Sequence, residues 1–267
     1  MQDYQPAKIL SLLILLLLTA CSSTQQSHIT RITIPNPGKY ELVQYFPAKD
    51  FPNYNLTTVD GREFLTTDDV VMPSMQSIYL LSHWDIKQGE SVLDLGTGSG
   101  IQAIFAADNA GHIVATDINH AAVKVAKLNI ERHGLSNIVE VRQGDLFGPI
   151  NDGESFNVIL FNINYPHDES SQGLWKLHKR FFAEVEKYLK PGGRIYYQSG
   201  LLSNIKKINT MAANNQLQIL SMRMDATLHA DREPIVYLIM RKADIEAVVK
   251  LNPYENRVQR VSDINVE

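Results

Sequence analysis

Asp94 lies within the otherwise apolar run Val92-Leu93-Asp94-Leu95, and Gly96, Gly98 and Gly100 follow on alternate residues, with Thr97 and Ser99 between them. Glycine lacks a Cβ, so the chain can turn sharply there and bring backbone N–H groups close to a ligand at what reads as the start of a helix. The spacing is Gly-x-Gly-x-Gly, not the Gly-x-Gly-x-x-Gly of dinucleotide folds. Asp117 ends Val114-Ala115-Thr116-Asp117, and Ile118 and Asn119 follow it. Asp145 sits in Gly144-Asp145-Leu146-Phe147, and Asn162 opens Asn162-Ile163-Asn164-Tyr165-Pro166. Each group alone has an ordinary reading. The glycine loop would suit any nucleotide, Asp117 would cap a helix, Asp145 would belong to a turn, and Asn162 and Tyr165 to a structural loop.

The elements that must position these groups alternate. Strands are expected at Ser91-Leu95, Ile113-Asp117, Ile138-Gln143, Val158-Asn162 and Gly193-Ser199, with helices at Ile101-Asn109, Ala121-His133 and Leu174-Leu189. Such alternation predicts an α/β fold with a doubly wound parallel sheet. Ligands then lie beyond the carboxyl ends of the strands, where the glycine loop, Asp117, Asp145 and Asn162 all fall. A helix at Asn204-Asn214 and strands at Leu217-Asp225 and Pro234-Arg241 follow, and 243–267 reads as a polar, poorly ordered tail. Upstream, Leu56 to Leu65 reads as a hairpin around Asp60-Gly61, with a short strand at Tyr40-Tyr45, and Pro73 begins a helix through about Trp84. The expected division is 1–20 signal segment, 21–70 tether (Cys21 to Ile29) and β-rich extension, 71–242 main domain and 243–267 tail.

The loop Asp94-Leu95-Gly96-Thr97-Gly98-Ser99-Gly100 resembles motif I of class I S-adenosyl-L-methionine (SAM) methyltransferases. The resemblance spans about Asp68 to Arg241 and implies a Rossmann-like, seven-stranded sheet with an antiparallel finish. It implies SAM as cofactor, with Asp94, Gly96, Thr97, Gly98 and Gly100 around its methionine part. Asp117 would then take the ribose hydroxyls, with Ile118 beside it. Asp145 would take the adenine amine, and Leu146 or Phe147 would lie against the ring. Asn162 to Tyr165 stands where methyltransferases acting on amide or exocyclic amine nitrogens carry Asn-Pro-Pro-Tyr. The resemblance implies a catalytic role for Asn162 and Tyr165. The Asn side chain and the next carbonyl bind the NH2 hydrogens, and the aromatic stacks on the substrate. Positioning dominates such a transfer, so no strong base is needed. Ile163 and Asn164 replace the two prolines, so the stiffness of that loop is lost from the sequence. Met72 to Ser77 resembles the segment that covers the cofactor in these enzymes.

Lys8 and the apolar run Ile9 to Leu18 are too short to span a bilayer, which takes ~20 residues, and read as a signal peptide. Leu18-Thr19-Ala20-Cys21 resembles a bacterial lipobox, which implies lipidation of Cys21, anchoring to a membrane and an envelope location, the outer membrane favoured by Ser22. A mis-assigned start ahead of a cytoplasmic enzyme is the alternative.

The chain has 267 residues, 44% hydrophobic, with a net charge of -4 and one cysteine. That is enough to bury a core, excludes an internal disulfide framework, and offers no strong nucleic-acid patch, since Lys206-Lys207 and Arg241-Lys242 are isolated pairs. His167, His178 and His229 show no metal spacing, and no metal is expected. His167-Asp168 would serve as a base pair for an oxygen or acid substrate. Trp175, Phe181 and Phe182 read as core.

Three functions compete. The first is a SAM-dependent N-methyltransferase acting on a protein, nucleic acid or small molecule. The second is an envelope protein on the same scaffold that binds a nucleoside and has lost turnover. The third is a nucleotide-dependent oxidoreductase, opposed by the glycine spacing.

Overall fold

A computed structural model describes residues 28–33, 40–46, 48, 50–166, 171–200, 202–224 and 235–245. Expectations for the signal segment, Cys21, His167-Asp168, His229 and residues 246–267 lie outside these.

The main sheet has seven strands. In chain order they are β5 (Ser91–Leu95), β6 (His112–Asp117), β7 (Val139–Gln143), β8 (Phe156–Phe161), β9 (Leu189–Ser199), β10 (Leu217–Met224) and β11 (Ile235–Arg241). Their spatial order is β10-β11-β9-β8-β5-β6-β7, with only β11 antiparallel to its neighbours β9 and β10 among the paired strands. This is the doubly wound α/β sheet expected from the alternation, with the seven strands and antiparallel finish that the resemblance implies. Strand order reverses between β5 and β8, so the ends of those two strands flank the crevice where such sheets bind ligands.

Alternate residues of these strands enter two cores, as the period-two geometry of a strand requires. Val92, Ile113, Val158, Leu160 and Tyr196 face one side, covered by α1 (Met75–Leu81), α2 (Ile101–Ala106) and α3 (His120–Arg132). Leu93, Val114, Ile159, Phe161 and Tyr197 face the other, under α4 (Gln172–Glu184) and α5 (Ile205–Asn214). Trp175, Phe181 and Phe182 lie in the second core, as their helical spacing indicates.

Upstream, β1 (His28–Thr33), β2 (Glu41–Phe46), β3 (Asn55–Val59) and β4 (Arg62–Thr66) form an antiparallel meander. The hairpin turns at Asp60-Gly61, both with positive φ. Arg62 fastens this sheet to α2, pairing with both carboxylate oxygens of Asp108 at 2.9 and 2.8 Å and lying 4.3 Å over the Phe105 ring. Asn129 of α3 is fully buried and exchanges hydrogen bonds with both backbone groups of Leu65 while donating to the Ser99 carbonyl at 2.8 Å. One carboxamide thereby joins the meander to the glycine loop.

Several boundaries differ from the sequence expectation. The tether ends sooner, because His28 and Ile29 pair with Phe46 and Tyr45. The helix after Pro73 stops at Leu81: the Ser82 hydroxyl donates back to the Ile78 carbonyl, and His83 Nδ1 to Tyr79, a local competition that ends helices. α2 stops at Ala106 rather than Asn109, which closes a tight turn onto the Ala106 carbonyl. β9 starts at Leu189, ahead of Pro191-Gly192-Gly193, because an irregularity in its pairing with β8 absorbs those residues. The last part of the helix expected to reach Leu189 is a 3-10 turn, Val185–Tyr188. Residues 242–245, which reach into the expected tail, form a helical turn, tied by Arg241 to Asp244 at 3.0 Å.

Candidate functional site

A cleft of about 360 Å³ lies at the carboxyl ends of β5, β6, β7 and β8. That is within the range of small-molecule pockets, ~300–1,000 Å³. Gly96 and Gly98, Asp117 and Ile118, Asp145 and Leu146, and Asn162 all line it. Four segments distant in sequence thus meet where the topology places a ligand.

The glycine loop turns on left-handed residues: φ is +72° at Gly96, +55° at Gly98 and +85° at Gly100. A Cβ on Gly98 would project into open space on the cleft side. Asp94, Thr97 and Gly100 do not line the cleft; they sit behind the loop. Asp94 is 1% exposed, and its Oδ2 accepts the Thr97 hydroxyl at 2.6 Å. Burial pushes its carboxyl up to about 7, helped by the nearby Asp117 charge and opposed by the Thr97 hydrogen bond. Asp94, expected around the methionine part of the cofactor, instead holds the loop from behind through Thr97. Gly100 caps α2, and a Cβ there would meet Ala126 of α3 at ordinary contact distance.

Asp117 faces the cleft with both oxygens engaged by backbone. Oδ2 accepts the Gly98 N–H and Oδ1 the Asn119 N–H, each at 2.9 Å. The helix cap comes not from Asp117 but from Asn119, whose Oδ1 accepts the Ala121 N–H at 2.9 Å. Asn119 also donates to the Asp69 carbonyl, drawing 69–71 over the cleft.

Asp145 pairs with Arg180 of α4 at 2.9 Å on the rim. Leu146 holds φ +47°, a conformation non-glycine residues rarely adopt and one that often marks a functional constraint. Phe147 turns away and stacks on Tyr188 at 4.4 Å. Val71 and Ile118 are 72% and 66% exposed, the only large hydrophobic side chains so exposed among the described residues, and both line the cleft. Ser74, Gln76 and Ser77 close it from α1, as the Met72 to Ser77 pattern suggested.

The loop after β8 is held residue by residue. Ile163 packs on the glycine loop: a Cβ at Gly96 would lie 2.6 Å from Ile163 Cγ1. The Asn164 carbonyl accepts from His178 Nε2 at 3.0 Å. Tyr165 is 6% exposed; its hydroxyl accepts from Gln76 Nε2 at 2.8 Å, and its ring fills the space that a side chain at Gly200 would need. The Pro166 carbonyl accepts from Asn204 Nδ2 at 2.9 Å. Asn162 lines the cleft together with Ile163 and Asn164, and its side-chain amide bonds to no other described residue. Tyr165, expected beside it, does not line the cleft.

Sequence reasoning missed Val71, Gln76 as a partner of Tyr165, Asn119 as the cap, Arg180, and the buried His178. Their links span many residues and leave no local pattern; only Asn119, two residues before Ala121, had cap spacing. No group of three or more metal-ligating side chains occurs among the described residues, and none of their helices is long and apolar enough to cross a membrane.

Residues 75–221 match the family model "Methyltransferase small domain". The ribosomal protein L11 methyltransferase of Shouchella clausii is 36% identical over 120 residues, 45% of this chain and 34% of that protein. The chain therefore spans about a third of that relative's length. A putative protein N5-glutamine methyltransferase of Methanocaldococcus jannaschii is 30% identical over 170 residues, 57% of this chain and 84% of that protein. The crystal structure of M. jannaschii TYW2 in complex with AdoMet shares the fold, with a TM-score of 0.54 at 17% identity, covering 71% of this chain and 87% of that one.

Proposed function

The chain belongs to the methyltransferase small domain family, and we propose that it is a SAM-dependent methyltransferase acting on a planar NH2 nitrogen, with a protein carboxamide as the first acceptor to test. The names of the relatives support a protein acceptor. The observation that carries the proposal is Asn162: a carboxamide in the cleft, without a partner among the described residues, on a loop whose next four residues are all held.

The residues present fit SAM. Gly98 leaves open space on the cleft side, Asp117 offers carboxylate lone pairs beyond its two backbone bonds, and Val71, Ile118 and Leu146 offer apolar surface to a planar base. SAM, when bound, supplies a methyl group activated by its positive sulfonium. The chain's part is positioning. The Asn162 side-chain oxygen and the Ile163 carbonyl would accept the two N–H bonds of the acceptor, fixing the direction of its lone pair. Val71 and α1 would exclude water from above.

A second reading, binding without transfer, draws on Tyr165, which is buried on Gly200 and Gln76 rather than lining the cleft. Incubation with methyl-tritiated SAM and glutamine-bearing peptides separates the two. Label on the amide nitrogen, absent with Asn162→Ala, supports transfer. SAM binding with no label on any acceptor supports the second reading.

Lipid anchoring at Cys21, and with it an envelope location, belongs to the same proposal and rests on the Leu18-Thr19-Ala20-Cys21 pattern. Palmitate labelling of the wild type with a Cys21→Ser control tests it; no label would favour the cytoplasmic alternative.

A further inference from the structure

The loop Asn162-Ile163-Asn164-Tyr165 lacks the two prolines of the motif it resembles, yet it must hold a carboxamide still. Something else must set its backbone. His178 of α4 is fully buried, with Nε2 at 3.0 Å from the Asn164 carbonyl and Nδ1 at 2.5 Å from the Tyr197 hydroxyl of β9. A carbonyl only accepts, so Nε2 carries the hydrogen. Burial lowers the proton affinity of this imidazole, which leaves Nδ1 as a bare lone pair. Tyr197 is also buried, and burial raises its hydroxyl far above the usual range, so it stays a donor. The relay therefore has one direction: Tyr197 O–H to His178 Nδ1, His178 Nε2–H to the Asn164 carbonyl.

The surroundings leave little room for another arrangement. Phe161 meets the imidazole edge-on at 5.3 Å and stacks on Tyr197 at 5.3 Å, while Trp175 lies 6.4 Å from the imidazole. Phe161 is the residue directly before Asn162, so the same aromatic cage grips the strand end and the loop.

We propose that His178 and Tyr197 are positioning residues for Asn162, a buried hydrogen-bond relay that fixes the Asn164 carbonyl and does the work of the missing prolines. This rests on the methyltransferase reading for its purpose, but not for its geometry. Ile163, whose carbonyl would share the acceptor with Asn162, lies between the two held points, Gly96 on its side chain and His178 on the next carbonyl. Proline stiffens a loop through its own ring. Here the stiffness is borrowed from the core.

Long-range proton–nitrogen NMR on 15N-histidine-labelled protein, at neutral pH, reads the relay directly, with His178→Gln identifying the signal. The expected result is a neutral Nε2–H imidazole whose Nδ1 shift moves in Tyr197→Phe. A Nδ1–H tautomer, or an unmoved shift, overturns the relay. Hydrogen exchange of the 161–166 backbone reads its consequence. In His178→Leu exchange should rise by roughly tenfold or more. In His178→Gln, which retains an N–H near the Nε2 position, it should return to within about threefold of wild type. Should the leucine variant not fold, the glutamine and Tyr197→Phe proteins carry the test. Unchanged exchange in His178→Leu, or no rescue by glutamine in a folded protein, contradicts the proposal. Calorimetry with SAM on the same variants keeps the two readings apart: SAM binding with unchanged exchange sinks the relay alone, while normal relay behaviour without SAM binding sinks the methyltransferase reading alone.

Discussion

Ile163 lies against Gly96, with its Cγ1 2.6 Å from where a Cβ on that glycine would stand. The loop that carries Asn162 is thus seated on the loop that would cradle the cofactor, and neither can shift without the other. The contact also needs a glycine for a second reason, since φ at residue 96 is +72°.

Gly96→Ala should therefore weaken SAM binding by at least about tenfold, because left-handed backbone costs an L-residue roughly 1–2 kcal/mol before any clash is counted. Ile163→Ala in the same protein relieves the clash but not the strain, so part of the affinity should return. Calorimetry on the single and double variants checks this; a Gly96→Ala protein that binds as wild type would remove the coupling.

Asn162→Ala should abolish transfer while leaving SAM affinity within about threefold and stability within about 0.5 kcal/mol, as for residues outside the structural network. Its amide has no partner to lose among the described residues. Single-turnover assays, calorimetry and chemical denaturation read the three quantities.

Asn129→Leu should be far more damaging than its size suggests. It leaves both backbone groups of Leu65 and the Ser99 carbonyl without this partner in a buried setting. A loss of roughly 3 kcal/mol or more in denaturant unfolding is expected, at ~1–3 kcal/mol for a buried group left unsatisfied. Cofactor affinity should fall as well, through Ser99 in the glycine loop.

Asp94 gives a pH signature. Its carboxyl is raised by burial from 3.8 to about 7, so the folded protein holds a proton that the unfolded chain releases. The stability is fully present below about pH 4 and is lost as pH rises to about 7, by about 4 kcal/mol at ~1.4 kcal/mol per unit. Glu154 acts oppositely and in a lower window: Arg142 holds it down to about 2, so its contribution is present above about 4.5 and is lost as pH falls from there to about 2. Asp94→Asn keeps an acceptor for Thr97 and removes the titration. Thermal melts between pH 5 and 8 should fall for the wild type and stay flatter for the variant.

The sheet was readable from sequence because its strands are apolar runs ending in Asp117, Asn162 and the glycine loop, and such runs alternate with amphipathic helices. The glycine loop was readable because its conformation demands residues without a Cβ. The rest was hidden for physical reasons. Asp94 looks like a ligand-facing acid by position, but one turn of the loop buries it on Thr97. Tyr165 matches a stacking aromatic by spacing, but its contacts with Gly200 and Gln76, distant in sequence, draw its ring away from the cleft. His178 stands in no local pattern that reveals its role; that it grips Asn164 depends on strand β9 bringing Tyr197 beside it.

The central claim, that this cleft is a SAM pocket, is tested most directly by calorimetry of the protein with SAM and with S-adenosylhomocysteine, wild type beside Asp117→Ala. Saturable binding of both ligands, weakened by about tenfold or more when the charge-assisted carboxylate is removed, is the predicted result. No binding at millimolar ligand, or binding indifferent to Asp117, would contradict it.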